Sequence, residues 1–551
     1  VRLFTTIAGL RCYLELHRPS QHEAIEYESF PIGSAPEVGL VPTMGALHAG
    51  HLSLIQRARR ENKIVVVSIF VNPLQFGPQE DFQRYPRTLE QDRQLCEQAG
   101  VDVIFAPTPD QLGITPPPPH SPTIPPPHSP TTVVPPHTMT STLCGRSRIG
   151  HFEGVATIVT KLFNLVQPDR AYFGHKDAQQ VAIIRRMVKD LDFPLEIIGC
   201  PTLRESNGLA MSSRNQYLSL EERRKAATIY RGLRLAEQAF CAGEHSARAL
   251  VDIVQVEVAM EPTIAPEYVE LVHPETLVPL DMVEESGLLA VAARIGATRL
   301  IDNILLSNRQ PIVAIDGPAG AGKSTVARLL AEKLDLLYLD TGAMYRALTW
   351  LVLQSGITVD DEPAVAELVS QCEIEFSSRE IEGRTEESKI QNQQQMHPVS
   401  KSKILINGRD VTQEIRSLEV TAQVSVIAAQ PAVRAELVRQ QRRFGRSGGI
   451  VIEGRDIGTH VFPDAELKIY LTASVQERAR RRQQDLIDQG KGEISLEELE
   501  QAIYERDRKD STRALAPLRK ATDAIEVQTD GIGIAEVLER ITQLYQAVIS
   551  R

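Results

Sequence analysis

The chain has 551 residues, more than one hydrophobic core accommodates, so two or three domains are expected. Hydrophobic residues make up 42% and charged residues 24%, the balance of an ordinary soluble globular protein. The formal net charge of -11 argues against a nucleic-acid partner, which calls for a basic face, but leaves anionic small molecules open, because a few arginines reverse the sign locally within a cleft.

In chain order, residues 39–45 read as a buried strand running into a glycine turn, and 47–60 carry Leu47, Leu54, Ile55 and Ala58 at helical spacing. A β-branched run at 63–71 predicts a second buried strand, 88–99 a helix and 101–105 a third strand. Strands alternating with helices predict a parallel sheet covered on both faces. The stretch 116–136 breaks this pattern with the heptad Pro-Pro-Pro-His-Ser-Pro-Thr at 117–123 and again at 125–131. Such a run is expected to form an extended, solvated loop, with His120 and His128 expected to be solvated on it. Alternation resumes through 155–163, 178–190 and 195–200; a helix is expected over 220–242, and 268–272 and 299–304 read as strands of a smaller α+β domain. After a polar break at 307–311 a new strand starts at 312–316 and the α/β pattern begins again. The expected domains are therefore 1–215, with the proline insertion, then 216–306, then 311–551.

Six cysteines (Cys12, Cys96, Cys144, Cys200, Cys241 and Cys372) fall in no Cys-x-x-Cys pair or zinc-like spacing, which suits unpaired thiols in a reducing compartment. No stretch reaches the length of a transmembrane helix, and the first residues lack the apolar core of a secretory leader. A cytoplasmic location and no membrane partner are expected.

Gly317, Pro318, Ala319, Gly320, Ala321, Gly322, Lys323 and Ser324, followed by Thr325, sit between a predicted strand and a helical pattern over 325–334. That is a phosphate loop in its confirming context. Glycines bring backbone N–H groups against phosphate oxygens, and the helix N-terminus adds a favourable dipole. Lys323 is expected against the β- and γ-phosphates of ATP and Ser324 on the Mg²⁺ that accompanies it. The loop alone does not say what is phosphorylated. Further on come Asp340 to Arg346, Ile406 to Thr412, Glu453 to Gly458 with Val461 to Ala465, and Arg506 to Arg513 before Pro517 and Leu518. In these segments the chain resembles the cytidylate kinase family over essentially all of 311–551. The resemblance implies a P-loop nucleoside monophosphate kinase acting on CMP or dCMP. It places Thr341 and Arg346 at the CMP phosphate, with Arg434, Arg455, Asp510 and Arg513 completing the substrate site and Glu453 standing where many members have Asp. Arginine forks suit a dianionic monophosphate. Arg478, Arg480, Arg481 and Arg482 crowd one helical stretch that in the family closes over ATP. The polar, glutamine-rich stretch 380–403 reads as an insertion.

In the N-terminal half, Met44, Gly45, Ala46, Leu47, His48, Ala49, Gly50 and His51 put two histidines three residues apart at a strand-to-helix junction, beside the unpaired amides of the helix start. That arrangement suits ATP phosphates during attack at the α-phosphorus, but His-x-Gly-His is shared by several adenylyl-transferring enzymes, including class I aminoacyl-tRNA synthetases. Additional segments are Phe70 to Phe76, Tyr85 to Arg87, Gly150 to Val155, Phe173 to Gln180, Pro201 to Glu205 and Gly208 to Asn215. Through them residues 1–306 resemble pantothenate synthetase. The resemblance implies a Rossmann-like nucleotidyltransferase domain plus a small α+β domain, and an enzyme that joins pantoate to β-alanine with ATP through pantoyl adenylate. Met44 to His51 would line the ATP site, with His51 as proton donor. Gly174, His175, Lys176 and Asp177 would bind ATP, while Leu203, Met211, Ser212, Ser213 and Arg214 would contact adenine and phosphates. Gln75 and Gln180 would clasp pantoate, and Lys176 and Arg214 would supply positive charge to the pentavalent phosphorus. His175 stands in place of the family's Glu and Ile149 in place of a common Pro. The family implies a homodimer through this half and no tightly bound organic cofactor. The alternatives are an adenylyltransferase with another acceptor in the first half and a different nucleoside monophosphate kinase in the second.

Overall fold

The computed structural model describes residues 1–17, 38–77, 80–114, 131–377, 403–488, 494–512 and 516–549. Most of the proline repeat, the polar stretch at 380–402 and Arg513 lie outside the described residues. The chain divides into two compact units, Val1–Asn308 and Arg309–Arg551.

In the first unit, β1 (Arg2–Phe4), β2 (Val38–Thr43), β3 (Ile64–Ile69), β4 (Val103–Phe105), β5 (Arg170–Gly174) and β6 (Glu196–Cys200) form a parallel sheet in the order β1-β4-β3-β2-β5-β6. Strand residues alternate between two cores, as the two-residue period requires. Ile64 and Val66 join Leu40, Phe105, Val159 and Phe163 on one face, while Val65 and Val67 join Val41, Ile55, Ile104 and Tyr172 on the other. Helix Ala49–Glu61 packs on the second face and helix His151–Val166 on the first. The chain leaves β2 toward β3 and leaves β5 toward β6, in opposite directions across the sheet. Such a switch point opens a crevice at the carboxyl ends of the strands, and it is there that residues 44–51 and 175–177 fall.

The rest of this unit is a three-stranded antiparallel sheet of β7 (Ile264–Val272), β8 (Ser286–Ile295) and β9 (Thr298–Ser307), covered by helices Leu220–Cys241 and Ala247–Ala259. Ser219 opens the longer helix with a capping box to Glu222. β8, in the middle, is alanine-rich and buried along almost its whole length, so its sequence shows neither the alternation nor the β-branched enrichment that marks a strand.

In the second unit, β10 (Gln310–Asp316), β11 (Leu337–Asp340), β15 (Gly448–Gly454), β16 (Leu467–Thr472) and β17 (Ile525–Gln528) form a parallel sheet in the order β11-β15-β10-β16-β17. A small antiparallel sheet of β12 (Ile374–Ser377), β13 (Lys403–Ile406) and β14 (Arg409–Asp410) lies between β11 and β15 in sequence. In register, Ile315 and Asp340 both pair with Glu453, and Asp316 pairs with Gly454. The carboxyl ends of three neighbouring strands are thus acidic and level. Among the described residues, no helix is long and apolar enough to cross a membrane.

Candidate active sites

At the end of β2 the backbone turns through Gly45 (φ 81°) and Ala46 (φ 51°) into helix Ala49–Glu61. The turn is held from outside. Buried Asp92, on helix Leu89–Gln98, accepts the N–H groups of Ala46 at 3.0 Å and Leu47 at 2.7 Å. His48 begins the helix, its Nδ1 accepting the Gly50 N–H at 3.1 Å, and the His48 N–H donates to His51 Nδ1 at 3.4 Å. With both Nδ1 atoms accepting, the ring proton of each neutral histidine sits on Nε2. Burial and the Lys176 charge push His48 down to about 4; burial, then His48 and Lys176, push His51 down to about 3. Both rings are therefore neutral hydrogen-bond donors at pH 7, and an imidazolium role for His51 does not fit these surroundings without an added anion.

The other expected residues converge on this turn to different degrees. Gln75 donates to Met44 Sδ at 2.8 Å, and its own Oε1 accepts from Asn72 at 3.1 Å. A Cβ on Gly50 would lie 3.5 Å from Met211 Cβ, which brings the 211–214 segment against the histidine helix. Lys176, Asp177, Ser212 and Arg214 line a cleft of about 520 Å³ bounded on its far side by β9. Arg214 is gripped by Asp81 through two bonds, at 3.1 and 2.9 Å, and Ser213 Oγ lies 3.3 Å from the Tyr85 hydroxyl. Gln180 faces a cavity of about 40 Å³ shared with Arg148, His151, Lys176 and Asp177. Leu203 is largely exposed, its carbonyl accepting from the Met211 N–H at 2.9 Å. The His175 ring packs against β6, where a Cβ on Gly199 would come within 1.8 Å of its Nε2. Asn303 of β9 donates to the carbonyls of His175 and Lys176, each at 2.9 Å, so the small sheet anchors the 175–177 segment.

Two groupings here escaped the sequence reading. One is Asp92, 45 residues from the turn it holds. The other is a chain of contacts behind Gln75. Arg148 makes a fork to Glu80 at 2.6 and 2.7 Å and donates to His151 Nε2 at 2.9 Å; His151 Nδ1 in turn donates to the Gln75 carbonyl at 2.7 Å. Burial and Arg148 push His151 down to about 4, and the Arg148 fork overrides burial to hold Glu80 at about 2. His151 lies within a segment that marks the family, but nothing local announces its partner.

In the second unit the loop after β10 has Gly317 at φ 147°, Gly320 at 77° and Gly322 at 88°, and helix Lys323–Leu334 starts at its end. A Cβ on Gly317 would sit 1.9 Å from the Leu471 carbonyl oxygen, so only glycine fits. Lys323 is buried and donates to the Pro318 carbonyl at 2.7 Å. Burial lowers its pKa and Arg455 and Arg506 push the same way, against Glu453 and Asp316. Converging cations that destabilise one another make a field suited to a polyanion. Ser324 Oγ donates to Glu453 Oε2 at 2.9 Å and Tyr338 to Glu453 Oε1 at 2.5 Å. The Glu453 carboxylate thus faces the foot of the phosphate loop, whereas the family pattern suggested the acceptor side. Thr341 is buried, with its hydroxyl donating to the Glu453 carbonyl at 2.7 Å.

Beyond the loop, Arg346 pairs with Asp340 at 3.2 Å and Arg455 with Asp510 at 3.1 Å. Arg434 forms a buried ion pair with Asp456, a residue the motif contains but the sequence reading did not single out. Asp316 Oδ1 and Oδ2 accept the N–H groups of Ile457 and Gly458 at 2.8 and 2.7 Å; burial nevertheless raises its carboxyl to about 6. Of the four arginines at 478–482, Arg478 is buried against the Ala319 carbonyl at 3.1 Å and Asp507 at 2.6 Å, and Arg481 is bonded to Thr529. Arg480 and Arg482 are exposed.

The family model for pantoate-beta-alanine ligase matches residues 17–305, and that for cytidylate kinase matches 313–547. A protein of Nostoc sp. named bifunctional pantoate ligase/cytidylate kinase is 59% identical over 100% of both chains. One of the same name from Thermosynechococcus vestitus is 53% identical over 98% of each. The crystal structure of pantothenate synthetase from Thermus thermophilus is 44% identical, with a TM-score of 0.48, and covers 55% of this chain and 99% of its own. Two parallel α/β sheets, each with its own family match, and relatives that match the whole chain lead to one conclusion: the chain belongs to the bifunctional pantoate ligase/cytidylate kinase family.

Proposed function

We propose that residues 1–306 join pantoate to β-alanine at the expense of ATP, and that residues 311–551 transfer the γ-phosphoryl group of ATP to CMP or dCMP. The observation that carries the first half is the meeting of residues 44–51, Gln75 and 211–214 at the switch point of the first sheet, beside Lys176. In this reading the pantoate carboxylate attacks the α-phosphorus and pyrophosphate leaves; the β-alanine amine then attacks the acyl carbon and AMP leaves. The two Nε2–H donors of His48 and His51, with Lys176 and Arg214, stabilise charge that grows on the phosphorus oxygens. Gln75 and Gln180 are neutral amides, fit for the hydroxyls of a small acid, and Gln75 is fixed at both ends of its side chain. We propose domain limits of 1–215 and 216–306, a reading supported by the change from a parallel to an antiparallel sheet.

For the second half, the carrying observation is the glycine loop, its three glycines at positive φ, with buried Lys323 opening the helix that follows it. The acceptor phosphate would lie between Arg346 and Arg455, its oxygen in line with the γ-phosphorus. The Arg434–Asp456 pair offers donors to the O2 and N3 acceptors of cytosine and an acceptor to its N4 amine. The Ser324 hydroxyl and Glu453 carboxylate, 2.9 Å apart, are hard oxygen donors fit to hold Mg²⁺, which neutralises phosphate charge when bound.

ATP consumption by the whole chain tests both assignments. With pantoate and β-alanine, AMP and pyrophosphate are expected, and His51→Ala silences this reaction alone. With CMP, ADP and CDP are expected, and Lys323→Ala silences this reaction alone. Phosphorylation of AMP or UMP in preference to CMP would reject the acceptor assignment, and absence of AMP in the first mixture would reject the ligase assignment. We further propose a homodimer through the first half, which sedimentation equilibrium checks.

A further inference from the structure

We infer that Asp316 is a positioning residue that ties the kinase's phosphate loop to the turn that receives its acceptor nucleotide. The inference rests on the kinase reading above. Asp316 is the last residue of β10, and Gly317 of the loop follows it directly. Its two carboxylate oxygens take the N–H groups of Ile457 and Gly458, the two residues that follow Arg455 and Asp456. Those N–H groups begin a single wide turn, Ile457–Val461, whose other end is held by Arg442, donating to the carbonyls of His460 at 2.8 Å and Val461 at 3.0 Å. Short wide turns of this kind cost regular hydrogen bonding and are held by their surroundings.

The attachment leaves little slack. At Gly317 the backbone abuts the Leu471 carbonyl, so the root of the loop cannot slide along its strand. At Gly458 a Cβ would be 3.1 Å from Lys468 and 3.4 Å from Asp316 Oδ2, so the turn is packed against both. Asp456 and Arg455, one and two residues before the first N–H, carry the pairs with Arg434 and Asp510. A shift of the turn therefore moves the acceptor-binding side chains, while the phosphate loop keeps its own backbone and the Arg478 contact to Ala319.

Asp316→Asn keeps the shape of the side chain but can accept through one oxygen only, and its amide nitrogen faces the other N–H. In the full-length chain the KM for CMP is expected to rise about tenfold or more, the scale of losing a charge-assisted hydrogen bond. The KM for ATP should stay near that of the wild type, and pantothenate formation by the other half reports on the integrity of each preparation. Arg442→Gln loosens the far end of the same turn and should produce the same split; it decides the matter if Asp316→Asn does not yield a folded kinase unit. Equal rises in both KM values, or an unchanged KM for CMP, overturn the inference. A wild-type chain that phosphorylates no CMP sinks the kinase reading instead.

Discussion

Gly154 separates the two activities by a purely steric argument. It lies buried on helix His151–Val166, where the short turn Pro73–Gln75 rests against the helix backbone and Asn72 donates to the Gly154 carbonyl at 3.0 Å. A Cβ added there would lie 2.2 Å from the Leu74 carbonyl oxygen and 2.8 Å from the Gln75 nitrogen. Ordinary contact begins near 3.4 Å, so the turn must move by about 1.2 Å or the helix must yield. Neither obstacle is a flexible side-chain tip; both are backbone. Overpacking of this kind costs about 1–3 kcal/mol, and a misplacement of about 1 Å in a substrate-positioning group can cost about 10²-fold in rate. Gly154→Ala should therefore lower kcat/KM for pantoate by roughly 100-fold while CMP phosphorylation in the same preparation continues at the wild-type rate. Initial rates of AMP release and of CDP formation read the two halves side by side. A Gly154→Ala chain that makes pantothenate as fast as the wild type would refute the claim that Gln75 is positioned by this contact.

Gly317→Ala should spare the ligase and disable the kinase, because φ 147° and a 1.9 Å approach to the Leu471 carbonyl both oppose a side chain; the expected loss in the second unit is more than about 2 kcal/mol, read from its heat inactivation. Acid sensitivity should concentrate in the first unit. His151 is held at about 4 against 6.5 in an unfolded chain, so the unfolded state binds the proton more tightly. Its contribution is fully present above pH 6.5 and is lost as pH falls toward 4, on the order of 3 kcal/mol. His48 and His51 act with the same sign. Heat inactivation of the ligase should accelerate between pH 6.5 and 4.5, and His151→Gln should flatten that dependence; a wild-type ligase indifferent to pH across this window would contradict the burial argument.

Much of this was legible from the sequence because the chemistry is carried by contiguous residues. The glycine loop and the histidine pair each lie at a strand end followed by a helix, so local pattern alone located both crevices. What escaped notice is of two physical kinds. Asp92 reaches its turn from a separate helix whose polar, mostly exposed sequence gives no hint that one carboxylate points inward. The Glu80–Arg148 fork links residues 68 positions apart, a pairing that only the folded chain creates. Asp456 and Asp316 are different: one lies inside a recognised motif and the other directly before one, but their roles are contacts to Arg434 and to the Ile457 and Gly458 N–H groups that only the fold creates. The direction of Glu453 could not be read either: a strand end fixes where a side chain starts, while its partners Ser324 and Tyr338 fix where it goes. β8 was missed because burial on both faces erases the alternation by which strands are recognised.

Arg214, Arg346 and Arg455, the guanidinium groups assigned to incoming anions, each hold a carboxylate of the protein itself. Under the proposed assignments, a phosphate arriving there would exchange with Asp81, Asp340 or Asp510 for the same donors, and mobile counterions in solution would be less involved. Uptake of substrate then becomes a partner exchange inside the protein, with little net release of ions. The Michaelis constants of both activities should accordingly depend on ionic strength far less than the number of arginines around each site would suggest.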